Sequence, residues 1–527
     1  MRSTAGGPPL SAVHDLLDVA AARAPDAPAV QDTSGTWTYA ELAEHSRRLA
    51  NWLVAQGVVA GDRVLTQQPN SARAVALAYA ASRAGAVLVP VNPQLSRFQF
   101  GSVAADADPA VAVTEAAARP EIRARTTARA VTLDEAWGEA AGGRDGRLPG
   151  RRPDPDDLAI LFYTSGTTAA PKGVMCEHRQ ILFAAGAIWR RLGYGPGDAV
   201  FCRSPFSFDY GLYQAFLSAL GGSRLLLPPD GRDTALLHLI REWGATVVPL
   251  VPSLAAMLVA LADRADAGDT GDSGDTGVRL FTNTGAALAP GTLARLRSLF
   301  PRARVCLMFG ITECKRVSIL EPDGDLLRPG SVGTPLDGTR VDVVDPAGRG
   351  LPPGETGEFA VSGPHLTAGY WRAPELTAER FRADPVTGRR TLYTGDFGHL
   401  DADGHLHFQG RRDEIFKRNG VRTSTVEIEA AAMDIPGVRA AAVRPPDEHG
   451  NFMLIAVSSL PAGQLLRELR QRLEPAKVPG ACHIVPWLPL TPNGKVDRAR
   501  LAELVPADAG SPPQPPTERV PGVARRC

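Results

Sequence analysis

At 527 residues, with 44% hydrophobic and 22% charged side chains, the chain is long enough for two or more domains and has the composition of an ordinary soluble protein. Its 57 basic and 57 acidic residues cancel, so neither a broad nucleic-acid footprint nor a basic membrane-binding surface is expected, and an acidic ligand must be met by a local patch. Cys176, Cys202, Cys306, Cys314, Cys482 and Cys527 show no CxxC spacing, which fits a reducing cytoplasm better than a disulfide framework.

In chain order, the opening MRSTAGGPPL lacks the apolar core of a signal peptide, and the most apolar span, Ala72 to Val91, carries Arg73 and Arg83. A cytoplasmic protein without a membrane span is expected. Up to about residue 400, helical patterns alternate with short β-branched runs such as Ala86 to Val91 and Thr246 to Val251, the pattern of α/β layers with parallel strands. Between Leu161 and Val174 (LFYTSGTTAAPKGV) an apolar run breaks into Thr164, Ser165, Gly166, Thr167 and Thr168 and then presents Lys172 before Gly173. Hydroxyl donors, backbone N–H groups that glycine leaves approachable, and one ammonium make a phosphate-binding loop, and the ligand expected is a nucleotide triphosphate. Only Lys172, Lys315, Lys417, Lys477 and Lys495 escape a strong arginine bias, so a lysine in this loop reads as chemically required. Lys172 precedes the glycine and no hydroxyl residue follows, which disfavours a Walker A loop.

Farther on, SPFSFDYGLYQ (204–214) sets Asp209 among aromatic residues, either facing a pocket that needs a cation or capping a helix that begins at Tyr210. LGGS (220–223) looks like a carrier-protein attachment site, but Ser223 leads directly into the buried strand pattern RLLLPP. Asp263 to Gly277 is expected to be a disordered surface loop, and it lacks the bidentate Glu of a calcium loop. His405 and His407 alternate along a strand without nearby ligand residues, so no metal site is expected there. The texture changes after Asp396 and again at GRRDEIFKRNG (410–420), which gives a large domain over 1–410, a small domain over 411–505 and a disordered tail over 506–527. Within the small domain PLTPNGK (489–495) presents Lys495 after an Asn-Gly turn.

The loop 161–174 resembles the signature, close to YTSGTTGxPKGV, of the adenylate-forming superfamily: acyl-CoA synthetases, peptide-synthetase adenylation domains and firefly-type luciferases. Ala169 or Ala170 stands where that family usually has glycine. MFGITE (308–313), YTGD (393–396), GRRD (410–413) and PLTPNGK follow in the family's order, so the resemblance covers roughly residues 15 to 505. It implies an α/β fold with a large N-terminal domain of α/β subdomains, a small mobile α+β C-terminal domain and an active site between them. The implied reaction joins a carboxylate to ATP, giving acyl-AMP and pyrophosphate, before a thiol attacks the acyl-AMP.

The resemblance also implies roles. Thr164, Ser165, Gly166, Thr167, Thr168 and Lys172 would hold phosphate; Thr312 would touch the α-phosphate; Glu313 would hold Mg²⁺; Lys495 would bridge the carboxylate and the α-phosphate. Gly285, Ala286, Ala287 and Phe309 would border adenine, with Phe309 replacing the usual tyrosine; Asp396 and Arg411 would take the ribose. Asp413 would be the hinge, and Gly420 would leave room for a pantetheine arm. Phe208, Asp209, Tyr213, Met308, Arg316 and Val317 would line the acid pocket. Phe-Asp at 208–209 is the adenylation-domain pattern, in which the aspartate pairs with a substrate ammonium, whereas acyl- and aryl-CoA synthetases tend to have histidine at the Phe208 position. An arginine at 316 could clamp a second carboxylate, or instead pair with Asp209. Together they resemble stand-alone β-amino acid adenylating enzymes, with phosphopantetheine on a separate carrier protein, or coenzyme A, as acceptor. The alternatives are an aryl- or acyl-CoA synthetase with Asp209 in a structural role, a luciferase-like oxygenase, and a non-catalytic paralogue, which the retained Glu313, Asp396 and Lys495 disfavour.

Overall fold

The computed structural model describes residues 10–142, 152–164, 172–231, 233–267, 276–384, 387–411, 414–418, 421–445, 452–491, 496–501 and 504. It is a mixed α/β molecule of two compact units, residues 1–412 with 492–495 and residues 413–491 with 496–527.

Alternation of strand and helix builds two sheets in the large unit. In the seven-stranded sheet Arg63–Thr66 lies parallel to Val87–Pro90 and to Val111–Val113, and Leu158–Thr164 continues the parallel set beside Val87–Pro90. Lys172–Glu177 returns antiparallel to Leu158–Thr164. The span Ala72 to Val91 resolves into the helix Ala72–Arg83, opened by a Ser71 cap, and the buried strand Val87–Pro90. The nine-stranded sheet sets Ala199–Phe201, Val247–Leu250, Leu280–Asn283 and Arg304–Phe309 side by side in parallel, with Arg224–Leu226 on the other side of Ala199–Phe201. The strand expected after Ser223 is therefore present.

Two expectations need correction. Parallel strands do not continue to residue 400: Arg340–Val344, Gly357–Ser362, Phe381–Ala383, Arg390–Leu400 and Leu406–Arg411 form an antiparallel sheet. Their connections contain Gly, Pro and Asp turns and, apart from the short helix Pro374–Arg380, no crossover helix, so neighbouring strands reverse direction. Nor is all of Asp263 to Gly277 loop. The helix Pro252–Ala267 runs through Ala267, its apolar positions up to Ala262 packed in the core of the nine-stranded sheet; residues 268–275 lie outside the described residues.

In the small unit the helix Ala462–Arg472 buries Leu465 and Leu469 in a core with Ile428, Val443 and Leu454, beside the strands Val438–Arg444, Met453–Ser458 and Ala481–Ile484. Among the described residues no helix is long and apolar enough to cross a membrane.

Candidate active site

The phosphate-loop segment is the connection of a β-hairpin. Thr164 ends one strand opposite Lys172, which begins the next, so the two residues are register partners. Residues 165–171, including Ser165, Gly166, Thr167 and Thr168, lie outside the described residues. Gly173 has a packing role of its own: a Cβ there would meet the Tyr163 ring at 3.1 Å and Trp371 at 3.2 Å. Gly369–Tyr370 pairs with the same hairpin at Val174 and Met175.

A second hairpin carries the residues after MFG. Met308 and Phe309 pair with Ile319 and Ser318, and the Val317 N–H returns to the Phe309 carbonyl at 2.9 Å, so 310–316 form the connecting loop. Gly310 is required where this loop doubles back, since a Cβ would lie 2.4 Å from the Lys315 carbonyl oxygen. Lys315 itself takes a left-handed conformation, φ 64°. The Tyr370 hydroxyl donates to Glu313 Oε1 at 2.6 Å, and burial together with the Glu313 charge pushes that hydroxyl up from its ordinary value. No basic side chain pairs with Glu313 among the described residues. Thr312 is half-buried beside it.

Phe309 stacks on Phe408 at 5.2 Å and lies 5.8 Å from Phe359, which sets it against the antiparallel sheet. On that sheet Asp396 and Arg411 are cross-strand partners, joined by Arg411 Nε donating to Asp396 Oδ1 at 3.2 Å. Asp396 is 2% exposed. The strand Leu280–Asn283 ends in Thr284 and then Gly285, whose φ of 93° makes the expected turn before Ala286 and Ala287.

The residues expected to line an acid pocket lie on the helix Asp209–Gly221 and around the 308–317 hairpin. Asp209 is buried and is the first residue of the helix Asp209–Gly221; Phe208 is the N-cap and makes no side-chain capping bond. The capping alternative, with a helix opening at Tyr210, is thereby overturned. Asp209 sits where the helix dipole favours an anion, yet among the described residues it makes no ion pair or side-chain hydrogen bond. The alternative in which Arg316 neutralises Asp209 is overturned too: Arg316 Nη1 donates to Thr284 Oγ1 at 2.5 Å, and the guanidinium lies 5.4 Å from the Tyr210 ring. Its buried Nε has no partner among the described residues. Tyr213, one turn along from Asp209, is buried, and its hydroxyl is pushed well up by burial, with Cys176 and Asp209 adding to the effect and Arg316 opposing it. Met308 and Val317 are packed in the large apolar core.

Sequence reasoning did not single out Lys315 for this region. It is 2% exposed, its Nζ donates to Cys176 Sγ at 3.0 Å, and it lies 4.3 Å from the Phe162 ring. Its rarity in an arginine-rich chain was the available signal. Asp413, Gly420 and Lys495 lie outside the described residues. Among those described, His14, Asp15 and Asp18 have metal-ligand spacing, but Arg152 pairs with Asp15 and Arg83 with Asp18. His407 lies 3.4 Å from Asp401 and stacks on His399, so an acidic neighbour is present where none was expected.

A strand-end hydroxyl and lysine, an acidic loop beside them and a buried aspartate paired with an exposed arginine on an antiparallel sheet match the pattern of enzymes that bind adenine nucleotides. The chain belongs to the AMP-binding enzyme family, whose profile matches residues 17–371, with the AMP-binding enzyme C-terminal domain over 427–495. It is 34% identical over 540 residues to CymA of Salinispora arenicola, described as a probable non-canonical nonribosomal peptide synthetase; the match takes in 95% of this chain but only 6% of CymA. The crystal structure of VinN is 45% identical, with a TM-score of 0.70, covering 76% of this chain and all of VinN, and a VinN structure in complex with L-aspartate is also similar. ATP-bound MatB from Rhodopseudomonas palustris is 28% identical with a TM-score of 0.82, covering 94% of this chain and 99% of MatB.

Proposed function

We propose that the chain activates a dicarboxylic amino acid with ATP, forming an aminoacyl-AMP and pyrophosphate, and transfers the acyl group to the phosphopantetheine thiol of a separate carrier protein. The observation that carries this reading is a charge imbalance: Lys315 and Arg316 are buried cations without a carboxylate partner among the described residues, and Asp209 is a buried anion without a cationic one. Isolated buried charges are costly, so a ligand that supplies an ammonium and a spare carboxylate satisfies all three at once. VinN's complex with L-aspartate supports the same choice.

In this reading Asp209 takes the substrate ammonium, Lys315 and Arg316 take the carboxylate that does not react, and the other carboxylate attacks the α-phosphorus of ATP. Pyrophosphate leaves with the electron pair of the cleaved P–O bond. Lys172 and the hydroxyls of 164–168 hold phosphate, Thr312 contacts the α-phosphate, and Lys495 draws the two anions together. Phe309 and residues 285–287 flank adenine, and Asp396, oriented by Arg411, accepts from the ribose hydroxyls. Glu313 fits an oxygen ligand for Mg²⁺, since the Tyr370 hydroxyl fixes one of its oxygens and no cation competes for it among the described residues. When bound, the ion neutralises phosphate charge in the transition state.

Product analysis tests the proposal. Protein incubated with ATP, Mg²⁺ and single acids from α-amino, β-amino, aryl and fatty panels should yield acyl-AMP by mass spectrometry with aspartate or a substituted aspartate, and should load a phosphopantetheinylated carrier in preference to coenzyme A. Preferred turnover of benzoic or fatty acids to coenzyme A thioesters would refute it.

A further inference from the structure

Cys176 lies on the strand Lys172–Glu177, four residues beyond the lysine of the phosphate loop, and is fully buried. Its Sγ accepts from Lys315 Nζ at 3.0 Å and donates to the Val174 carbonyl oxygen at 3.5 Å. A thiol that donates to a carbonyl while accepting from an ammonium is using its proton, as a neutral S–H does. A thiolate has no proton to direct at that carbonyl. Burial pushes the Cys176 thiol up from its ordinary value, Asp209 and Glu313 push the same way, and Lys315 offsets this only in part. Among the described residues, the other groups that the Lys315 ammonium meets are aromatic faces, Phe162 at 4.3 Å and Tyr213 at 5.9 Å. Among the described residues, every contact that orients the ammonium is therefore uncharged.

We propose that Cys176 is a specificity-determining positioning residue: a neutral partner that holds Lys315 Nζ in place without neutralising it, so that the pocket keeps a positive charge in reserve for the substrate's second carboxylate. This rests on the dicarboxylic reading above. A carboxylate at position 176 would close an ion pair with Lys315 and remove one of the two charges that attract a diacid. A hydroxyl at 176 would keep the geometry and the reserve.

The test compares wild type, Cys176→Ser and Cys176→Asp in steady-state pyrophosphate exchange with L-aspartate, β-alanine and L-alanine, the last two each lacking one carboxylate of aspartate. Cys176→Asp should lower kcat/KM for aspartate roughly tenfold or more, through KM, while changing the monocarboxylic acids by less than about threefold. Cys176→Ser should keep the wild-type order of substrates. An unchanged aspartate preference in Cys176→Asp, with ATP affinity and thermal midpoint confirming a folded protein, would overturn the proposal. A second measurement needs no substrate. Thiolate ultraviolet absorbance in wild type minus Cys176→Ser should be absent at about pH 8, and a thiolate signal there would overturn the neutral-partner claim even if Cys176→Asp does not fold. If the wild type ignores aspartate altogether, the functional reading fails by itself, while the thiol measurement still decides the state of the Lys315–Cys176 pair.

Discussion

Asp209 was singled out in the sequence because an acid among aromatics must find either a cation or a helix terminus. It sits at the first helical position without using its side chain as a cap, and among the described residues its buried carboxylate makes no ion pair. A charge-assisted contact is worth on the order of 1.5–3 kcal/mol, so Asp209→Asn should lower kcat/KM for the amino acid roughly 10- to 150-fold while the KM for ATP stays within about twofold. An amino acid activity that survives this change intact would take Asp209 out of the site. Arg316 was also legible, from its distance after Glu313, but its partner was not. Whether a guanidinium meets Asp209 or Thr284 depends on how the 310–316 loop folds, and one sequence cannot give that. Lys315 was hidden for the same reason, since a left-handed residue turns its side chain away from the face that simple spacing assigns. Arg316→Met should weaken aspartate activation by roughly tenfold, measured as exchange rate, and leave alanine activation nearly unchanged.

At the scale of elements, two hairpins carry residues of the proposed site: 158–177 bears Thr164 and Lys172, and 304–319 bears Glu313, Lys315 and Arg316. Both were recognisable because hydroxyl, glycine and acidic residues interrupt apolar runs. The antiparallel sheet 340–411 was not, since period-two alternation gives strands but not their direction. Gly310→Ala places a methyl about 2.4 Å from the Lys315 carbonyl and must displace the loop. Overpacking of this kind costs about 1–3 kcal/mol, so a lower thermal midpoint and a raised KM for the acid are expected together. A variant with wild-type values for both would mean that the loop adapts freely. Two residues outside the described set should separate the half-reactions. Lys495→Ala should lose most pyrophosphate exchange yet still transfer from pre-made acyl-AMP, and Gly420→Leu should make acyl-AMP but fail to load a thiol. Loss of the same half-reaction in both would argue against two working arrangements.

Over the whole molecule, the α/β class and the presence of a smaller C-terminal unit were readable from alternation and a change of texture, whereas the buried network around the N-terminal helix was not. Val13 N–H donates to His178 Nδ1 at 3.1 Å, and burial lowers His178 to about 4; burial alone lowers His365 to about 4. Unfolded histidine titrates near 6.5, so below that pH the unfolded chain binds protons that the folded one refuses. Stability is present above about 6.5 and is lost as pH falls toward about 4, by up to about 1.4 kcal/mol per unit for each histidine. The thermal midpoint should therefore drop between about pH 7 and pH 5, and His365→Leu should drop less steeply; equal steepness would exclude His365 as a contributor.

The most direct measurement of the central claim, that one buried anion and two buried cations select an amino diacid, is ATP–pyrophosphate exchange by the wild-type protein with L-aspartate against three subtractive analogues. Succinate lacks the ammonium that Asp209 would hold, and β-alanine and L-alanine each keep the ammonium but lack one of aspartate's two carboxylates, so neither can fill both the reacting position and the Lys315–Arg316 position. The expected result is exchange with aspartate exceeding all three by roughly tenfold or more. Equal or faster exchange with succinate, or with either monocarboxylic amino acid, would contradict it.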